Sequence, residues 1–139
     1  MTRSSKIKVA ALVTLTVALV LEAIPGGAVL IFHDGGCVFL TRTFSYFDPI
    51  AFGYANFGPL CTAVLTCLLL LCRLVSLAHE FSRGARSAVA AFSLAALLFS
   101  LMPLLFGISY FPFHAACISV LLLLHAIVAF LDRAASPQT

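Results

Sequence analysis

The chain has 139 residues, of which 63% are hydrophobic and 9% charged, and its mean hydropathy is +1.15. A soluble domain carries about 25% charged residues, and a chain this short has too little interior to hide so much apolar surface from water. A soluble fold is therefore excluded. The formal net charge of +3 does not mark a nucleic-acid binder, because the basic residues flank apolar runs.

Four runs, residues 9–32, 57–78, 87–110 and 113–131, approach or exceed the roughly 20 residues that a helix needs to cross about 30 Å of hydrocarbon. None alternates with the two-residue period of a membrane strand. The expected fold is an all-α membrane protein, a single four-helix transmembrane domain over residues 1–139. An outer loop spans residues 33–56 and an inner loop residues 79–86. Arg3, Lys6, Lys8, Arg73, Arg83, Arg86 and Arg133 fall on one side of this threading and only Arg42 on the other. The positive-inside rule makes the populated side cytoplasmic, so both termini are expected there, in a cell membrane. The basic start followed by residues 7–21 also has the outline of a signal peptide. The apolar run resumes at residues 28–32, and Glu22 and Pro25 are foreign to the end of such a segment, so an uncleaved first helix is expected.

The first helix should run to Ile24. Pro25-Gly26-Gly27 then kinks or ends it, and residues 28–32 either complete the span or lie at the outer interface. In the outer loop, Asp34-Gly35-Gly36 is a turn signal, and Asp48-Pro49 can cap and open a short helix. Phe44, Tyr46, Phe47, Phe52, Tyr54 and Phe57 make this loop too apolar to stay in water. It is expected to form an aromatic cap on the outer membrane surface or over the bundle mouth. Tyr46, Tyr54 and Tyr110 read as an outer aromatic belt.

In the second helix Arg73 can snorkel to the cytoplasmic headgroups. The third should bend at Pro103 and Gly107, and Pro112 allows only a tight hairpin into the fourth. The tail from Asp132 is polar and expected to fray. A faint repeat relates Ser45-Tyr46-Phe47 before the second helix to Ser109-Tyr110-Phe111 before the fourth. Of the five cysteines, Cys61, Cys67, Cys72 and Cys117 lie in apolar runs as small hydrophobes. Cys37 lies outside, and a pairing with Cys61 or Cys117 stays open.

Polar residues at membrane depth are the candidate functional groups. At 1.5 Å per residue, Glu22 lies about 20 Å from the inner boundary, level with Thr62, Thr66, Ser100 and Ser119. A second layer about 9 Å in holds Thr14, Arg73, Ser93 and His125. On helical spacing these residues share faces rich in alanine and serine, such as Ala11, Leu15, Ala18 and Glu22, or Ser93, Ala96 and Ser100. A carboxylate at that depth costs at least about 2.5–3.5 kcal/mol. Glu22 therefore handles an ion or substrate, makes a structural hydrogen bond, or escapes to the headgroups if Pro25 ends the helix early. His125 reads as a neutral structural residue.

The chain carries no P-loop, G-x-G-x-x-G, H-E-x-x-H or G-x-S-x-G pattern. His33-Asp34 and His79-Glu80 face opposite sides of the membrane and cannot share a metal, so neither metal nor cofactor is expected. With no paired nucleophile and base, an enzyme acting on lipid headgroups is the weakest reading. The expected function is that of a small multi-pass membrane protein without catalytic activity. It would associate with the lipid bilayer, with other membrane proteins or with further copies of itself, and not with nucleic acid. The rival is a small oligomeric transporter or channel that uses Glu22 and its polar layer.

Overall fold

The computed structural model describes residues 3–33, 35, 39–53 and 56–134. The elements are α1 (Arg3–Ala23), β1 (Ala28–His33), β2 (Phe39–Phe44), α2 (Pro49–Gly53), α3 (Gly58–Ala78), α4 (Arg83–Leu101) and α5 (Phe113–Ala134). Two 3-10 segments, Met102–Phe106 and Ile108–Tyr110, join α4 to α5. The four long helices close a ring in which α1 touches α3, α3 touches α4, α4 touches α5 and α5 returns to α1.

The buried face of each helix is its small or polar seam. Ala11, Leu15, Ala18 and Glu22 are buried on α1; Thr62, Thr66, Leu69 and Arg73 on α3; Ser93, Ala96 and Ser100 on α4; Ala115, Ser119, Leu122 and Ala126 on α5. Small side chains let the backbones approach closely, which is what membrane helices use in place of a hydrophobic drive. The outward faces carry Val13, Val17, Val20, Leu68, Leu71, Val75, Leu98, Val120 and Leu124. This inversion, small inside and large apolar outside, fits a molecule solvated by lipid.

Among the described residues three helices are long and apolar enough to cross a membrane: Gly58–Ala78, Arg83–Phe106 and Phe113–Ala134. The protein is thus mostly helical and, by these spans, a small multi-pass membrane protein in contact with a lipid bilayer. The first expected span, α1, is not among them. Within it, 13 residues separate Lys8 from Glu22.

The all-α expectation is corrected at residues 28–44. The first helix does not continue to residue 32. Pro25 lacks an N–H, Gly26 takes φ 138°, and the chain reverses into β1, which pairs antiparallel with β2 from Ala28↔Phe44 to His33↔Phe39. Valine, isoleucine, threonine and phenylalanine favour this pleated form. A short apolar run does not reveal by periodicity alone whether it is helix or strand. The outer loop of residues 33–56 is therefore a hairpin followed by α2, whose first turn is capped by Asp48 Oδ1 accepting from the Ile50 N–H at 3.0 Å. Tyr54 and Cys37 lie outside the described residues, and with Cys37 the question of its pairing.

At the inner loop α4 begins at Arg83, four residues before the expected start, because Ser82 Oγ caps it by accepting from the Ala85 N–H at 3.3 Å. Its α-helical part ends at Leu101. Pro103 has no N–H to give the carbonyl of Phe99, and the helix tightens into a 3-10 turn whose Met102 N–H bonds that carbonyl instead. Gly58, opening α3, packs against this same carbonyl. A Cβ there would sit 2.8 Å from the Phe99 oxygen and 2.9 Å from Met102 Cβ. Gly58→Ala should therefore push α3 and α4 apart at their outer ends. We expect a loss of about 1–3 kcal/mol in a reversible unfolding titration, as for other overpacked sites. An unchanged midpoint would mean that the two helices do not meet there.

Candidate functional site: two buried polar layers

The outer layer is built where α1 ends. Glu22 lies in the last turn of α1 with 0% exposure, and its Oε1 is 2.8 Å from Thr66 Oγ1 on α3. Thr66 Oγ1 is also 3.0 Å from the carbonyl of Thr62, and the Thr62 hydroxyl donates to the carbonyl of Gly58. Across the ring, Ser100 Oγ on α4 and Ser119 Oγ on α5 are 3.0 Å apart. The layer is thus two clamps, α1 to α3 and α4 to α5. Glu22 meets Thr66; Thr62 turns to its own helix; Ser100 and Ser119 serve each other.

Sequence reasoning missed Tyr46 in this layer. The sequence reads it both as part of an interfacial belt and as part of the aromatic cap; it is the fully buried side chain of that cap. Its N–H donates to the carbonyl of Glu22 at 2.9 Å, satisfying one of the carbonyls that a helix end leaves open. Its ring lies on Gly27, where a Cβ would sit 2.6 Å from Tyr46 Cε1. The signal was the glycine pair: Gly27 makes room for an aromatic ring that alanine would exclude. Burial pushes the Tyr46 hydroxyl well above its ordinary pKa. The Tyr46 hydroxyl and Glu22 Oε2 are both buried without a hydrogen-bond partner, as are both side-chain polar atoms of Asn56. His114 donates from Nε2 to the Leu21 carbonyl at 2.7 Å, tying α5 to α1.

The other cap aromatics do not follow Tyr46 inward. Phe44 is half-buried, and Phe47, Phe52 and Phe57 are exposed. The cap is anchored by Tyr46 and Ala51 and turns its phenyl rings outward, because α2 is only five residues long and has one buried face.

The inner layer is a chain of hydrogen bonds across α3, α4 and α5. Arg73 does not snorkel; its side chain is 3% exposed and Nη1 meets Asp132 Oδ2 at 3.1 Å. Arg73 Nε donates to His125 Nε2 at 3.3 Å. An accepting Nε2 places the ring proton on Nδ1, which faces Ser93 Oγ at 3.1 Å, and Ser93 in turn donates to the carbonyl of Val89. Every group in this sequence has one consistent role, with His125 neutral. Arg86 adds a second cation, 3.5 Å from Asp132 Oδ1. Asp132 is therefore an ion-pair partner within α5 and not the start of a frayed tail. Lys8 Nζ donates to the carbonyl of Ser76 at 2.9 Å, joining α1 to the same level of α3. Thr14 is not part of this layer. It is half-buried and its hydroxyl returns to the carbonyl of Ala10 on its own helix.

Leu15, Leu69, Ala96 and Leu122, all buried, lie between the two layers on the four seams. No continuous polar file joins the layers through the described residues. Nor, among the described residues, do three or more histidine, cysteine, aspartate or glutamate side chains gather as a metal would need. A concavity of about 590 Å³ lies along α4 among Phe57, Leu98, Phe99, Met102 and Leu105. Comparison with protein-family models, with curated proteins and with solved structures finds no match.

Proposed function

We propose that this protein is a non-catalytic membrane protein that crosses the bilayer four times, keeps both termini in the cytoplasm, and works by associating with other membrane components through its outer face. The observation that carries this reading is β2. Phe39, Leu40, Thr41, Arg42 and Thr43 are all exposed, Phe39 at 70%. Among the described residues the strand has one neighbour only, and its second edge pairs with none of them. A free strand edge with exposed apolar side chains is a place where another chain adds, unless it is covered. Beside it, Leu40, Arg42, Phe44 and Ile50 line a groove of about 350 Å³. Four crossings fit the ring: α1 packs on both α3 and α5, and Lys8 reaches the level of Ser76 near the inner end of α3.

The test is position-resolved crosslinking in native membranes. A photoreactive residue at Thr41 or Thr43 should give protein adducts well above those from lipid-facing Leu124. Equal yields from β2 and from Leu124 would overturn the outer-face reading.

The transporter reading keeps one observation in its favour, the unpartnered Glu22 Oε2. It requires that proton or cation flux into proteoliposomes be lost in Glu22→Gln. Association through β2 requires no such flux, and the Gln variant should crosslink as the parent does.

A further inference from the structure

We propose that Glu22, Thr66 and Tyr46 form a proton-binding site that latches the outer cap to the helix bundle. This goes beyond association at β2 and does not rest on it.

The protonation state follows from geometry. Thr66 has one hydroxyl hydrogen and two oxygens in range, Glu22 Oε1 at 2.8 Å and the Thr62 carbonyl at 3.0 Å. If Glu22 were ionised, Thr66 would spend its hydrogen on it, and a full charge would stand in a fully buried place on one hydrogen bond. Its second oxygen would have none. Among the described residues no cation pairs with it. It would also sit in the last turn of α1, where the helix dipole is negative and repels anions. Burying an unpaired carboxylate is costly enough that such groups neutralise instead. As a carboxylic acid, Glu22 carries its proton on Oε1 and donates it to Thr66, Thr66 donates to Thr62, and only the neutral carbonyl oxygen Oε2 is left without a partner. The second arrangement wins. The titratable groups around it are Tyr46 from the cap, Cys67 from α3 and His114 from α5, whose ring is engaged with the Leu21 carbonyl.

The latch follows from what Glu22 holds. Its own carbonyl takes the Tyr46 N–H, and Gly26 N–H takes the carbonyl of Phe44 at 3.2 Å. The cap is therefore fastened at the residue that carries the proton. Loss of that proton to outer water leaves a carboxylate, and the carboxylate is hydrated only if Tyr46 lifts away. The closed cap binds the proton more tightly than the open one, so raising the pH favours opening, by at most about tenfold per pH unit for one proton.

The test uses the full chain in lipid nanodiscs. Infrared difference spectra at neutral pH should show the carbonyl stretch of a protonated carboxylic acid that is missing in Glu22→Gln. Hydrogen exchange at the Tyr46 amide should then be compared between parent and Glu22→Gln at each pH, which cancels the intrinsic pH dependence. The ratio should be near one in acid and rise with pH by up to about tenfold per unit. If the Gln variant does not fold, Thr66→Val serves: the acid band should persist and move to higher wavenumber, because the acid hydroxyl has lost its acceptor. Absence of the acid band in the parent, or an exchange ratio that does not change with pH, overturns the proposal.

Discussion

Replacing Asp132 with alanine should destabilise the bundle by about 3–5 kcal/mol, the range seen when one partner of a buried ion pair is removed. The loss comes less from the missing contact than from what stays behind. Arg73 is buried at the inner layer and Asp132 is its carboxylate. Without it the guanidinium is left, among the described residues, with a neutral imidazole and no anion. The reverse change should be milder. Arg73→Met leaves Asp132 with Arg86 at 3.5 Å and with 21% of its side chain exposed, so that charge is neither unpaired nor dry. The measurement is reversible unfolding of both variants in mixed micelles. The expected order is Asp132→Ala well below Arg73→Met. Equal losses, or the opposite order, would mean that Arg73 reaches headgroup water and that the inner layer is not closed.

Tyr46 should give the second large effect, and one that separates ring from hydroxyl. Tyr46→Ala removes a fully buried ring from between Gly27, Ile118 and the end of α1, and losses of about 3–5 kcal/mol accompany such truncations in packed cores. The cap should detach, and amide exchange across residues 44–53 should rise together with the loss of stability. Tyr46→Phe should be close to neutral, because the hydroxyl it removes has no hydrogen-bond partner to lose. If Phe were as damaging as Ala, the hydroxyl would have to be bonded, and the packing at Gly27 would not be what holds the cap.

Much of this fold could be read in the residues, and the parts that could not share a physical cause. The seams of α1, α3, α4 and α5 were legible because a helix repeats every 3.6 residues and small or polar side chains at that spacing have nowhere else to go in lipid. Glu22 and Thr66 could be placed at one level from the rise per residue alone. The hairpin was not legible. Residues 28–32 are apolar on both faces, so they carry no period, and the same five residues suit a helix end or a strand. The depth of Tyr46 was not legible for a related reason. An aromatic side chain next to a membrane surface looks interfacial unless the glycine that accommodates it is known to be near, and Gly27 is 19 positions earlier in sequence. Arg73 was read as a snorkelling residue because its partner lies 59 positions away, beyond any local pattern. The inner layer needed long-range pairing to be seen; the seams did not.

If α1 crosses the bilayer, the hairpin lies outside and the Arg73 layer inside. The direct measurement is labelling with a membrane-impermeant thiol reagent in intact cells, after the native cysteines are replaced by alanine. Single cysteines are then introduced at Gly35 in the hairpin, at Ser5 before α1 and at Ser82 in the inner loop. The account predicts labelling at position 35 without permeabilisation and at positions 5 and 82 only after it. Labelling of positions 5 and 35 from the same side would contradict it, because α1 would then lie along the membrane and not across it.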